Sequence, residues 1–217
     1  ELVDFSVDPY AVLQAIALRT TNPTAMRRSA LMNLTAEDVE RSWRSTANAM
    51  ASGLTLLRDE CGVLLTKWLP YSTMLPPLAA VIAERTLDAG AEAGARRQKL
   101  VRWFWCACLS QHYESSANQK AERDYQALLA WLDGDDAPAY VTNYQATIDF
   151  ENITPRQRAL YSTLMCLLLA NGARDFHTGE LITSALIRSK NIDDHHIFPL
   201  IHLGETDRRK PNPTYDN

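Results

Sequence analysis

The sequence has no excess of positive charge. Its 22 lysines and arginines stand against 26 aspartates and glutamates, for a formal net charge of −4 and a pI near 5.7. Such a chain has no global basic surface to supply non-specific nucleic-acid affinity, so any contact with a polyanion has to be local. Long hydrophobic runs are missing as well. The longest apolar stretch, around Leu164 to Ala170, is far too short to span a bilayer, and no signal peptide is expected. The expectation is a cytoplasmic chain with no membrane partner. Cysteine is scarce. Cys61, Cys106, Cys108 and Cys166 show neither Cys-x-x-Cys pairing nor zinc-finger spacing. Cys106 and Cys108 would point about 200° apart on one apolar helix, and all four read as small core residues in a reducing compartment. There is no Gly-x-x-x-x-Gly-Lys-Ser/Thr phosphate loop and no repeat at a fixed period. No Ser-His-Asp arrangement can be read from the linear order.

What is present is an ordinary apolar complement, 46% of 217 residues, enough for a good core in one large or two small domains. Most of it recurs at helical spacing. Asp8 and Pro9 read as a cap and a first helical residue, followed by Tyr10, Leu13, Ile16 and Ala17, and Asn22-Pro23 breaks that helix. Thr35-Ala-Glu-Asp38 resembles a capping box with Asp in the usual place of Glu. It opens a long amphipathic helix with the stripe Val39, Trp43, Ala47, Met50, Leu54, Leu57 and Cys61, stopped by Gly62. Pro76-Pro77 leads into a helix through Leu78, Val81, Ile82 and Leu87. Arg96 to Tyr113 is apolar on most faces, which predicts the middle of a bundle. Ala117 to Leu132 turns Tyr125, Leu128, Leu129 and Leu132 inward. Tyr140 to Asn152 is mixed in pattern and reads as mostly irregular. Thr154-Pro155-Arg156-Gln157 reads as a capped helix start, its helix running through Leu160, Tyr161, Leu164, Met165 and Leu168 to Asn171-Gly172. Of Trp43, Trp103, Trp105 and Trp131, at least three are expected to be mostly buried.

The densest group of metal-capable and proton-transferring side chains lies near the end, in Asp193-Asp194-His195-His196-Ile197-Phe198-Pro199. Adjacent residues on a strand point to opposite faces. At a strand end or in a loop, one histidine can therefore bind a metal while its neighbour aims at a substrate. Pro199 ends regular pairing. Hydrolysis of a phosphodiester needs a base that takes a proton from water near neutral pH, for which histidine is best suited. It also needs a cation on the phosphate oxygens. The bland reading of the same residues is a pair of packed or surface histidines. The run His195-His196-Ile-Phe-Pro resembles the first motif of HNH, or ββα-metal, nucleases, and more narrowly that of GmrSD-type modification-dependent restriction endonucleases. The resemblance implies that His196 is the general base and His195 a metal ligand. Asp193, Asp194 and His202 are candidate supporting groups, although a surface place is the commoner use of a histidine such as His202. The resemblance also implies a divalent cation, Mg or Mn. His195 with one aspartate is a poor magnesium site alone, since Mg²⁺ prefers oxygen ligands in octahedral geometry.

The resemblance extends into the scaffold. Lys67-Trp-Leu-Pro-Tyr71 is similar to that family's turn between long helices. Trp103 to Ser116 is similar to a helix ending in a Ser-Gly-Arg-Tyr-like turn, with Gln111-His112 standing where Gly-Arg is usual. Asp175-Phe-His-Thr-Gly179 resembles the loop before the nuclease hairpin. Full-length members imply an N-terminal nucleotide-using domain with an Asp-Gly-Gln-Gln-Arg motif, which this chain lacks, and a metal-binding helix after the second strand. The chain begins at Glu1 without methionine, and Gly204 to Asn217 reads as a connecting loop, so the expectation is an excised piece with a truncated nuclease unit. The expected fold is mainly α: a multi-helix bundle over residues 1–174, then a small, incomplete β-hairpin (ββα-metal) segment over 175–217. The expected function is a fragment of a phage-defence DNA endonuclease acting on DNA, modified DNA in particular, through the full-length protein. The fragment alone is expected to fold but to cut poorly or not at all, with no metal of its own. Two basic clusters, Arg96, Arg97, Lys99 and Arg102, and Arg208, Arg209 and Lys210, are candidate nucleic-acid contacts, though solvated faces are the commoner use of such runs. The alternative function is a non-catalytic helical module that binds protein or nucleic acid, its histidine pair structural.

Overall fold

The computed structural model describes residues 5–87, 90–145, 148–149 and 153–189. Among these the chain is helical, with no strand. Helix α1, Pro9–Thr20, starts where Asp8 accepts a hydrogen bond from the Tyr10 amide at 2.9 Å. After the short α2, Arg28–Met32, comes the longest element, α3, Ala36–Cys61. Its start is the reciprocal box read in the sequence: Asp38 donates its amide to Thr35 Oγ1 at 3.1 Å, and the Thr35 amide donates to Asp38 Oδ2 at 3.1 Å. Gly62 ends it in the left-handed region at φ 68°. Two 3-10 turns, Thr66–Trp68 and Ser72–Met74, lead into α4, Leu75–Glu84. Then follow α5, Ala93–Leu109, and α6, Ala117–Leu132, with the short α7, Ala139–Thr142. Helix α8, Arg158–Ala170, and the short α9, Ser184–Ser189, complete the order.

The core lies where α3 and α4 pack on each other and on α1, with α6 closing over α4 and with α5 and α8 against α3. Helix α4 is its centre, because every residue from Leu75 to Ile82 is buried. The sequence pattern places α5 in that position instead. Helix α5 does bury Leu100, Trp103, Phe104 and both of its cysteines, but its arginines reach the surface. The ten residues of α4 hold no charge before Glu84, so that helix has no solvent face to present. Gly53 of α3 makes the close approach possible, since a Cβ there would sit 3.1 Å from Leu78 Cδ2.

Three further expectations are corrected. The long stripe of α3 drifts in its first half: Ser42, Thr46 and Ala49 face inward, and Trp43 is 39% exposed. Trp103 and Trp131 are buried and Trp105 is half-buried, so the other three tryptophans behave as expected. Helix α4 ends at Glu84, so Leu87 lies beyond it, buried but outside the helix; the segment from Tyr140 is mostly irregular as expected, helical only to Thr142 among its described residues. The Thr154–Gln157 box is half formed as a turn, with the Thr154 amide donating to Gln157 Oε1 at 3.0 Å, and α8 begins only at Arg158. All four cysteines are buried free thiols. Among the described residues no helix is long and apolar enough to cross a membrane.

Candidate functional site

The motif Asp193–Pro199, including Asp193, Asp194, His195 and His196, lies outside the described residues, as do His202, Arg208, Arg209 and Lys210. The expected strand or strand-end placement of the histidine pair falls outside them too. Among the described residues no three His, Cys, Asp or Glu side chains converge as a metal-ligand set. The described chain does cover the approach to the motif. A tight turn follows α8, closed by an antiparallel bridge between Arg174 and Leu181 and by Asp175 N to Glu180 O at 2.8 Å. Asp175 Oδ1 caps it, accepting from the amides of His177 at 3.1 Å and Thr178 at 2.7 Å. This is the Asp-Phe-His-Thr-Gly loop, and it leaves Phe176 92% exposed. Helix α9 then leads toward the motif.

The cluster Arg96, Arg97, Lys99 and Arg102 is not a free cationic face, because each member is tied to the protein. Arg96 pairs with Glu92 at 2.6 Å, one turn away, and Arg97 with Glu60 of α3 at 2.6 Å. Lys99 donates to the Trp131 carbonyl at 2.6 Å, which places its charge at the negative end of α6. Arg102 reaches the Val141 carbonyl at 3.4 Å. Four cations spaced along one helix thus serve four different neighbours.

The polar chemistry of the described molecule gathers instead at the turn between α5 and α6. Gln111 adopts φ 53° there, a conformation in which glycine has no steric penalty. Beneath it lies Asp124, only 3% exposed on the inner face of α6. A buried carboxylate is costly unless it is hydrogen-bonded, and here the Tyr113 hydroxyl donates to Asp124 Oδ2. His112 Nε2 stands 3.2 Å from the same oxygen, out of line for a hydrogen bond but within ion-pair range when protonated. The His112 ring stacks on Tyr140 of α7, centroids 3.8 Å apart, and the Tyr140 hydroxyl accepts from Trp103 Nε1 at 2.8 Å. Burial, reinforced by the neighbouring carboxylate, pushes the Tyr113 and Tyr140 phenols well above their ordinary values. Both are therefore neutral donors at physiological pH. The network joins α5, α6 and α7 at this turn.

Gln111 projects above this anchor into a cleft of about 820 Å³. Its other walls are the Thr66–Thr73 segment and residues 156–160, which are the turn before α8 and the start of that helix, and they include Lys67, Tyr71, Arg156 and Arg158. Asp124 was the residue hardest to foresee. Its signal is that it lies three residues after Ala121 and four before Leu128, both fully buried, so helical spacing alone puts it on the inner stripe.

No protein family profile matches this chain, and no solved structure does. An uncharacterized protein of Methanocaldococcus jannaschii is 21% identical over 203 aligned residues, covering 88% of this chain and 32% of that protein. The chain spans about a third of that relative's length. The likeness carries no assignment of activity.

Proposed function

We propose that the chain is part of an HNH-type, GmrSD-like DNA endonuclease, comprising its helical scaffold and the opening motif of its nuclease. The observation that carries this reading is the Asp193–Pro199 motif, with a histidine three residues before a proline and a second metal-capable side chain directly before it. In this reading His196 takes a proton from the attacking water. His195 contributes one ligand to a Mg or Mn ion, which when bound stabilises negative charge on the phosphate and leaving group. Asp193 and Asp194, directly before His195, are the candidate oxygen donors that such an ion prefers. Further support is that two of the stretches carrying the resemblance, Lys67–Tyr71 and Gln111–Glu114, line the same cleft although they are far apart in sequence.

The test is nicking of supercoiled plasmid by the longer natural protein that contains this chain, with Mg²⁺ or Mn²⁺ added. His196→Ala should lower the rate by roughly 10²–10⁴, the usual worth of a positioned base, with stability nearly unchanged. His195→Ala should raise the metal concentration needed. Full activity in the His196→Ala protein would remove this assignment. It would favour the alternative, a non-catalytic module whose histidine pair is structural.

A further inference from the structure

We propose that the cleft between the Thr66–Thr73 segment, the α5–α6 turn and residues 156–160 binds the phosphodiester backbone of a nucleic acid. Three cations line it, Lys67, Arg156 and Arg158, all exposed. None has a carboxylate partner among the described residues. That sets them apart from Arg19, Arg41, Arg58, Arg85, Arg96 and Arg97, each of which sits 2.6–2.9 Å from a carboxylate oxygen. In a chain of net charge −4, three cations without carboxylate partners along one cleft make a local positive potential that attracts anions. The one carboxylate in the cleft, Glu114, is already engaged by the Tyr71 hydroxyl at 3.2 Å. Neutral donors complete the lining: the amides of Gln111 and Gln157 and the hydroxyls of Ser72 and Thr73.

The class of ligand follows from this chemistry. A small anion is held by enclosed donors, whereas these cations are exposed and come from two segments about 90 residues apart, which suits an extended polyanion threading past them. A protein partner would need apolar anchors at the centre of its interface. The large exposed apolar side chains Leu168, Phe176 and Leu181 are not in this cleft. Guanidinium forks and an ammonium beside amide and hydroxyl donors are the groups that hold phosphate oxygens. The inference needs neither His195 nor His196, and so stands apart from the nuclease reading.

The experiment measures binding of a fluorescently labelled DNA duplex to the 217-residue chain by anisotropy, in EDTA, over a series of salt concentrations. With three phosphate contacts the slope of log K against log salt should be about −3. The triple variant Lys67→Ala/Arg156→Ala/Arg158→Ala should bind at least about tenfold more weakly, and each single substitution should reduce the slope by about one. The control, Arg27→Ala/Arg28→Ala/Arg123→Ala, changes net charge equally at a different surface and should bind like the parent. An unchanged urea midpoint shows that each variant is folded. Three results would overturn the proposal: a triple variant that binds as well as the control, polyglutamate competing as strongly as DNA, or millimolar inorganic phosphate displacing the duplex. The second would indicate an acidic protein partner and the third a small-anion site. Because EDTA suppresses cleavage, a failure here is separate from a failure of the nuclease assignment.

Discussion

Gly62 ends α3 at φ 68°, and a methyl group added there would lie 2.3 Å from the Cys166 carbonyl oxygen and 2.6 Å from the Ala170 amide. Both are backbone atoms of α8, so neither can step aside alone. Gly172 ends α8 at φ 77°, but its added Cβ would meet only Leu181 Cδ1 at an ordinary 3.8 Å. The left-handed conformation alone costs a residue with a Cβ about 1–2 kcal/mol. Gly172→Ala should therefore lose about that much, and Gly62→Ala clearly more, because α3 and α8 must also separate. Urea unfolding of the two variants compares them directly. Equal losses would mean that the α3–α8 approach is looser than described. Asp124 makes a similar point about polar groups. Tyr113→Phe removes a hydrogen bond to a buried charged group and should lower stability by about 1.5–3 kcal/mol, and Asp124→Ala, which strands both Tyr113 and His112, by at least as much. If Tyr113→Phe is neutral, the buried network is not what holds the α5–α6 turn.

Among the helices, α1, α3 and α6 show how much of an element a linear pattern can reveal. The caps of α1 and α3 are local: Asp8 reaches an amide two residues on, and Thr35 and Asp38 reach each other across three. Local contacts of this kind are written in adjacent residues, and their ends were legible. The buried faces were less so. In the first half of α3 the inner line is Ser42, Thr46 and Ala49, because Arg19 of α1 donates to Thr46 Oγ1 at 2.6 Å and draws that face in. Large residues advertise a stripe more loudly than small ones, so Trp43 was counted as core and is not. Helix α8 repeats the effect. Its buried residues are Leu160, Ser162, Thr163 and Cys166, while Leu168 is 49% exposed. Small polar residues can face inward there because Thr163 Oγ1 donates to the Ala159 carbonyl at 2.7 Å and Cys166 Sγ to the Trp68 carbonyl at 3.4 Å.

Across the whole molecule, burial concentrates groups that resist losing a proton. Burial raises the thiols of Cys61 and Cys108 and pushes Cys166 up to about 12, and it raises the phenols of Tyr113 and Tyr140 together with the Asp124 charge. A folded-state value above the unfolded one means stability that is full below the unfolded value and lost as pH rises past it. The ordinary values are about 8.5 for a thiol and about 10 for a phenol, so the urea midpoint should be flat near neutrality and fall from about pH 9 upward. A midpoint that holds steady to about pH 11 would show that these groups ionise freely in the folded state. The same burial predicts that a thiol reagent such as dithiobisnitrobenzoate reacts with none of the four cysteines quickly in the native protein, and with all four once urea unfolds it. Fast labelling of any one would place it at the surface.

The helical class, the ends of α1, α3 and α6 and the small-core reading of the cysteines could be read from the chain alone. They depend on spacing and on contacts within a few residues. The same holds for the histidine motif as a chemical possibility, since its residues are adjacent. Which helix occupies the centre could not be read that way, because a short uncharged helix such as α4 and a long mixed one such as α5 both look buried until their neighbours are placed. Nor could the fate of the cations. Arg96, Arg97, Lys99 and Arg102 look like one patch along the chain, yet their partners lie up to 39 residues away. Lys67, Arg156 and Arg158 look unrelated and line one cleft. Charge neutralisation is decided by distance in space, which only the packed helices set.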